Sequence, residues 1–329
     1  MRYVQACGLR TSVIGLGAWQ LGAPEWGWGS ELGPAEARAI VERARALGIT
    51  LVDTAEIYGH GESERALGAV LAATGARESI VLASKVAPSW PTRERVKAAA
   101  HGSLARLGTD HLDLYQVHWP NPLVPQSSTM AGMRSLQADG LVRHVGVSNY
   151  SLSRWREAEL ALGGPVVSDQ VHYSLLRRVP ERDLLSFAAR AGRLVIAYSP
   201  LAQGVLSGKY SAGTRPAGTR PVNLLFSEEN LRRAEPVLEA LREVAAGHDA
   251  TPAQIALAWV IHHPHVVAIP GAKSVAQVES NAAAAEIVLS DEEFLHLAQA
   301  SDGFHRDHLA SAARLAGRRA RRLLESRSR

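Results

Sequence analysis

Three apolar runs in this chain each finish on an ionisable residue. Asp53 closes the first in TLVDTAEIYG, Lys85 the second in IVLASKV, and His118 the third in LDLYQVHWP. A phenol, Tyr58, follows Asp53 by five positions. A buried strand has little reason to end in a charge unless that end faces a site. A carboxylate, a phenol, an ammonium and an imidazole meeting there would make a proton donor for a carbonyl that receives a hydride. A Lys⁺ beside a phenol favours the phenolate, so Lys85 should lower the Tyr58 pKa from its usual value of about 10. A general acid works best with a pKa near the working pH. Asp53 would hold Lys85 charged and in place. His118 has two possible jobs, orienting the carbonyl through a neutral N–H or relaying the proton. The hydride must come from a cofactor, because no side chain supplies one.

The elements that must position these groups follow from periodicity. Short β-branched or apolar runs recur at 13–17, 50–54, 80–85, 112–118, 144–148, 166–170, 194–199 and 266–269. Helical spacing of three and four fills most gaps, as at 34–47, 62–73, 93–107, 152–162 and 183–191. Strands alternating with helices predict parallel βαβ units. Eight such runs suit a closed (β/α)8 TIM barrel better than an open doubly wound sheet. GLGAWQLG supplies a GxG and then departs, so the GxGxxG fingerprint of an open sheet is missing. Barrel sites lie at the C-terminal strand ends, where Ser148, Asn149, Gln170, Tyr198 and Ser199 also fall. The stretch before the first barrel strand is expected to form a hairpin. Thr251-Pro252-Ala253-Gln254 and Ser290-Asp291-Glu292-Glu293 read as helix starts with capping boxes. The Gly/Pro/Arg-rich stretch 202–223 is long for a loop inside a domain, and is expected to cover a cofactor.

Bulk properties agree with one soluble enzyme unit, a barrel over 1–302 with a basic C-terminal extension over 303–329. Hydrophobic residues make up 46% and charged residues 21%, an ordinary globular composition. No apolar run approaches the roughly 18 to 20 residues that span a bilayer, and MRYVQACGLR has no apolar core of a signal peptide. The single Cys7 cannot form an internal disulfide, which fits a reducing cytoplasm. The pI near 9.4 is a property of the tail. Residues 303–329 hold eight Arg against Asp307 and Glu325, a net of +6; the whole chain is +4, so residues 1–302 carry −2. A slightly acidic body argues against a nucleic-acid surface. Leu309, Ala316, Ala320, Leu323 and Leu324 recur at helical spacing in the tail. They predict a basic amphipathic helix packed on the body rather than a membrane anchor. His262, His263 and His265 invite a metal reading, but they fall between a helix and the eighth strand, at the barrel bottom, and no metal is assigned.

As a set, DTAEIYG, SKV and QVHWP resemble the aldo-keto reductase superfamily, from about residue 10 to residue 300. The resemblance implies an NADP(H)-dependent reductase of a small-molecule aldehyde or ketone, with Tyr58 as general acid and a hairpin plugging the barrel bottom. It places Ser148, Asn149 and Gln170 on the nicotinamide carboxamide and Tyr198 against the ring, with Trp19 and Asp53 among the cofactor contacts. Ser199, Leu201, Gln203 and Lys209 would run along the pyrophosphate. Gly271, Lys273, Gln277 and Asn281 would hold the adenosine end, with Arg220 reaching it from the long loop. A cation near the ribose favours a 2′-phosphate. Trp19, Tyr58, His118 and Trp119 would meet substrate, with Trp26 and Trp28 nearby, and specificity would lie in loops 19–30, 119–129 and 202–223. Two departures stand out: Ser280 replaces a common acidic residue, which should weaken adenine contacts, and Asp169 replaces a common Asn, which should be nearly silent. The same resemblance covers potassium-channel β subunits, so the alternative is a nucleotide-binding regulatory subunit. His118 argues against it, since binding alone does not require the acid–base set. A third reading makes Lys85 a Schiff-base lysine, which would want a low pKa.

Overall fold

The chain opens on an antiparallel hairpin, β1 (Tyr3–Ala6) and β2 (Leu9–Ser12). It turns at Cys7 and Gly8, both at positive φ. Ala6 and Leu9 pack with Leu51, Leu114, Leu194 and Val267, so the hairpin plugs the barrel bottom as expected. This computed structural model describes residues 1–211, 213–214 and 223–305. Arg220 and the expected tail helix over 309–324 lie outside the described residues.

Eight parallel strands form one sheet in sequence order. They are β3 (Leu16–Gly17), β4 (Leu51–Asp53), β5 (Val81–Val86), β6 (Leu112–Val117), β7 (Val142–Ser148), β8 (Ser168–His172), β9 (Leu194–Tyr198) and β10 (Val266–Ala268). The sheet closes on itself. Gly15 N–H donates to Ala268 O at 2.8 Å, Ala268 N–H to Val13 O at 2.9 Å, and Gly17 N–H to Pro270 O at 3.1 Å. Every one of the eight expected runs contributes a strand. All six residues of β6 are buried, because one face fills the barrel and the other lies under helices, as parallel sheets require.

The helices are α1 (Pro34–Ala46), α2 (Glu62–Thr74), α3 (Arg93–Leu107), α4 (Gln126–Ala138), α5 (Leu152–Leu162), α6 (Leu184–Ala191), α7 (Glu228–Gly247), α8 (Pro252–Val260), α9 (Val275–Ala283) and α10 (Asp291–Asp302). The two expected capping boxes start α8 and α10. The connection from β9 to β10 carries two helices, and the 20-residue α7 has no counterpart in the sequence expectations. Its interior Pro236 obscured the helical pattern. At the barrel bottom His262 stacks on Phe294 with ring centres 4.4 Å apart, and His263 packs edge-on against Trp259. Among the described residues no group of three or more His, Cys, Asp or Glu gathers as a metal site. No described helix is long and apolar enough to cross a membrane.

Candidate active site

Asp53, Lys85 and His118 arrive at the barrel mouth because each lies at the C-terminal end of its own strand: Asp53 ends β4, Lys85 is the last residue but one of β5, and His118 follows β6. Tyr58 comes from the turn after β4. Lys85 Nζ donates to Asp53 Oδ1 at 2.5 Å, to Thr54 O at 2.9 Å and toward Tyr58 Oη at 3.3 Å. The other carboxylate oxygen, Asp53 Oδ2, accepts from Gln116 Nε2 at 3.0 Å and Gln170 Nε2 at 2.9 Å. The buried ion pair is therefore ringed by donors and acceptors that replace water, the condition under which such a pair survives burial.

Gln116 is a member of this cluster that the sequence reading passed over. It precedes His118 by two positions, hence shares its strand face, and an amide two residues before His118 on that face is the available signal. Its room comes from Gly146, its register partner on β7: a Cβ there would lie 3.0 Å from Gln116 Cγ and 2.6 Å from Ser168 Oγ.

The electrostatics correct one expectation. Burial raises the Tyr58 phenol above its ordinary pKa, and the opposing pull of Lys85 does not overcome it. The lysine effect is present with the expected sign, but desolvation outweighs it. Burial alone would lower the Lys85 ammonium; Asp53 and the Tyr58 oxygen reverse this and hold it above its usual value. A lysine kept charged in this way is unsuited to Schiff-base chemistry. His118 is pushed down to about 3, by burial first and by Lys85 second, and so stays neutral. Its Nδ1 is sealed and has no partner among the described residues, which leaves Nε2 as the nitrogen able to meet a bound molecule.

A cleft of about 1120 Å³ opens above this floor. It is lined by Tyr58, Asp53 and His118 and by every expected cofactor residue except Arg220, which lies outside the described residues. Lys85 is beneath the surface, fully buried. Ser148 Oγ donates to Gln170 O at 2.7 Å, Asn149 Nδ2 to Ser148 Oγ at 2.9 Å, and Tyr198 Oη to Asn149 Oδ1 at 3.0 Å. Because Gln170 Nε2 donates to Asp53 Oδ2 at 2.9 Å and to Gln116 Oε1 at 3.4 Å, its side-chain oxygen Oε1 is the atom left to accept from a ligand. Backbone strain collects here: Asn149, Ser199 and Gln203 line the cleft with φ of 61°, 50° and 57°. Non-glycine residues at positive φ gather where the surrounding structure imposes them.

The aromatic wall differs in part from expectation. Trp19 stacks on Tyr58 with ring centres 5.5 Å apart, and Trp26 packs edge-on against Trp19 at 5.3 Å. Trp19, Trp26 and Trp119 line the cleft. Trp28 instead packs against the helix-side core, since the chain turns away at Gly27 and Gly29. Asp169 is also unlike its expectation. It is fully buried on β8, its Oδ1 accepts from Tyr150 N–H at 3.4 Å, and its Oδ2 has no partner among the described residues. Burial raises its carboxyl well above the usual range, so the position is not a silent one.

The Aldo/keto reductase family model matches residues 13–302. The chain belongs to the aldo/keto reductase family. Among the reductases and oxidoreductases it resembles is an uncharacterized oxidoreductase of Mycobacterium tuberculosis, 54% identical over 88% of this chain and 90% of that one. A methylglyoxal reductase of Escherichia coli is 37% identical over 87% and 90% of the two chains. A crystal structure of an aldo-keto reductase from Klebsiella pneumoniae in complex with NADPH superposes with a TM-score of 0.73 at 32% identity, covering 93% of this chain and 96% of that one. The (β/α)8 barrel is the architecture this aldo/keto reductase shares with the Klebsiella pneumoniae enzyme.

Proposed function

We propose that the protein reduces aldehyde or ketone carbonyls to alcohols with NADPH, and that Tyr58 delivers the proton. The observation that carries this reading is the chain of contacts from Asp53 through Lys85 to Tyr58 at the floor of the cleft. The cleft suits the cofactor by its chemistry: a polar trio at Ser148, Asn149 and Gln170 beside the Tyr198 ring, then Lys209 and Lys273 further along. Bound NADPH supplies a hydride to the carbonyl carbon. His118 Nε2–H, neutral, donates to the carbonyl oxygen and fixes its direction. The Tyr58 hydroxyl then gives its proton to that oxygen, the C=O π bond breaking as the new C–H and O–H bonds form. The phenolate left behind lies 3.3 Å from Lys85 Nζ, which stabilises it until it is reprotonated. A raised phenol pKa keeps Tyr58 protonated at neutral pH, which is the form a donor needs. Asp53, Gln116 and Thr54 O keep the ammonium from drifting off the phenol.

The Escherichia coli relative named for methylglyoxal makes short aldehydes the first substrates to try, alongside ketones and sugars, by following NADPH consumption. Tyr58→Phe should lower carbonyl turnover by about two orders of magnitude or more while leaving NADPH affinity intact. Turnover by the Phe variant within a few-fold of the parent would remove Tyr58 from the role.

A further inference from the structure

The cleft ends, away from Tyr58, in a second carboxylate–lysine pair. Lys273 Nζ donates to Glu31 Oε2 at 2.9 Å, joining the loop after β3 to the segment after β10, and both residues line the cleft. The Glu31 backbone is fixed by a tight turn. The N–H groups of Glu31 and Leu32 both donate to Gly27 O, at 2.8 and 3.0 Å, and Gly29 N–H donates to Leu32 O at 2.8 Å. Gly27 has a φ of 96°, and a Cβ there would come within 3.0 Å of Glu31 Oε2. Glycine thus serves the turn and leaves space for the carboxylate lying over it. On the opposite wall Lys273 stands just before α9. Its N–H donates to Gln277 Oε1 at 2.8 Å, and Gln277 N–H to Ser274 Oγ at 3.3 Å. A lysine beside a helix N-terminus attracts an anion, and Glu31 already supplies one.

We infer that Glu31 is a specificity-determining residue for the dinucleotide, competing with the 2′-phosphate for Lys273 and so narrowing the preference for NADPH over NADH. This rests on the reading of Lys273 as the 2′-phosphate partner. To meet that phosphate Lys273 must release Glu31 or share its ammonium with it, and the carboxylate then stands close to a group of the same sign. Both effects reduce what the phosphate gains. A ribose bearing a plain 2′-hydroxyl leaves the ion pair intact, and a carboxylate can accept from that hydroxyl, as acidic residues do in NAD sites. One residue therefore weakens the phosphorylated cofactor and tolerates the other.

The test is titration of intrinsic tryptophan fluorescence with NADPH and with NADH at low salt, since Trp19, Trp26 and Trp119 line the cleft. The proteins are the parent, Glu31→Gln, Lys273→Ala and the double variant. Glu31→Gln should tighten NADPH by about two- to fivefold, the scale of a partly exposed ion pair, with NADH unchanged or weaker. The gain should vanish in the Lys273→Ala background. It should also shrink near 1 M salt, where the screening length is about 3 Å. An equal change for both cofactors, or a gain that persists without Lys273, overturns the competition. No change on Glu31→Gln while Lys273→Ala weakens NADPH overturns the role of Glu31 and leaves that of Lys273 standing. If Lys273→Ala leaves NADPH affinity untouched, the 2′-phosphate reading fails and the inference fails with it.

Discussion

The cleft holds the same kind of ion pair at each end, in opposite surroundings. Asp53 and Lys85 sit at the floor with side chains 3% and 0% exposed, whereas Glu31 and Lys273 stand at the rim with 71% and 25%. In the dry pair each ammonium proton and both carboxylate oxygens have a protein partner, so neither charge can leave without stranding the other. In the wet pair, water can replace either partner and the link can be exchanged for a ligand. Burial therefore decides whether a lysine–carboxylate contact acts as a fixed brace for a proton donor or as a contact that a cofactor can displace.

The largest expected effect follows from that contrast. Lys85→Met removes one member of the buried pair and leaves Asp53 uncompensated, which should cost about 3–5 kcal/mol of folding stability. Glu31→Gln at the rim should change stability by less than about 1 kcal/mol, since exposed pairs contribute little. Urea denaturation of the two variants measures both. Combining Lys85→Met with Asp53→Asn should recover much of the loss, because the stranded charge is gone while Gln116 and Gln170 can still meet an amide. Similar losses for Lys85→Met and Glu31→Gln would break the comparison.

How far the site was legible depends on which physical variable each feature uses. Strand ends are written in apolar runs, so the barrel and the order Asp53, Tyr58, Lys85, His118 could be read directly, and one cleft is lined by the expected residues apart from Lys85, buried beneath it, and Arg220, outside the described residues. Charge identity could be read too, giving the Asp53–Lys85 contact. Depth could not. The sign of the Tyr58 shift follows from desolvation, which no spacing reveals. Contacts between remote loops were equally hidden: Glu31 and Lys273 are 242 positions apart, and nothing local marks Glu31 as a partner. Trp28 shows the converse, an aromatic in a promising loop that the backbone turns toward the core.

Asp169 supplies a third case, a buried carboxyl with no cationic partner among the described residues, and a smaller effect. Its folded pKa is raised by burial, so the folded state holds its proton more tightly than the unfolded chain does. Stability from this group is complete below the unfolded pKa of about 3.9 and is lost as pH rises toward the folded value. Asp169→Asn cannot ionise and keeps an acceptor for Tyr150 N–H. The variant should be more stable than the parent at pH 8, by about 1–3 kcal/mol, the range for a buried polar group left unsatisfied. The advantage should close toward pH 4. Melting curves across that interval check it, and a constant difference at all pH values would mean that Asp169 is not protonated in the fold.

The smallest expected effect is a flat pH profile at the active site itself. His118, held near 3 by burial and by Lys85, stays neutral through the physiological range. Tyr58, raised above 10.0 by burial, stays protonated there. Reduction needs neutral His118 and the Tyr58 hydroxyl together, and both conditions hold from about pH 5 to about pH 9. Over that range kcat/KM for carbonyl reduction should vary by no more than about twofold. It should fall only as pH rises through the phenol pKa, where alcohol oxidation, which needs the phenolate, should rise instead. A His118 that relayed protons would titrate within the range and bend the profile. An inflection between about pH 6 and pH 8 that disappears in His118→Gln would therefore restore the relay. It would also mean that the dry end of the cleft admits more water than its closed hydrogen-bond set implies.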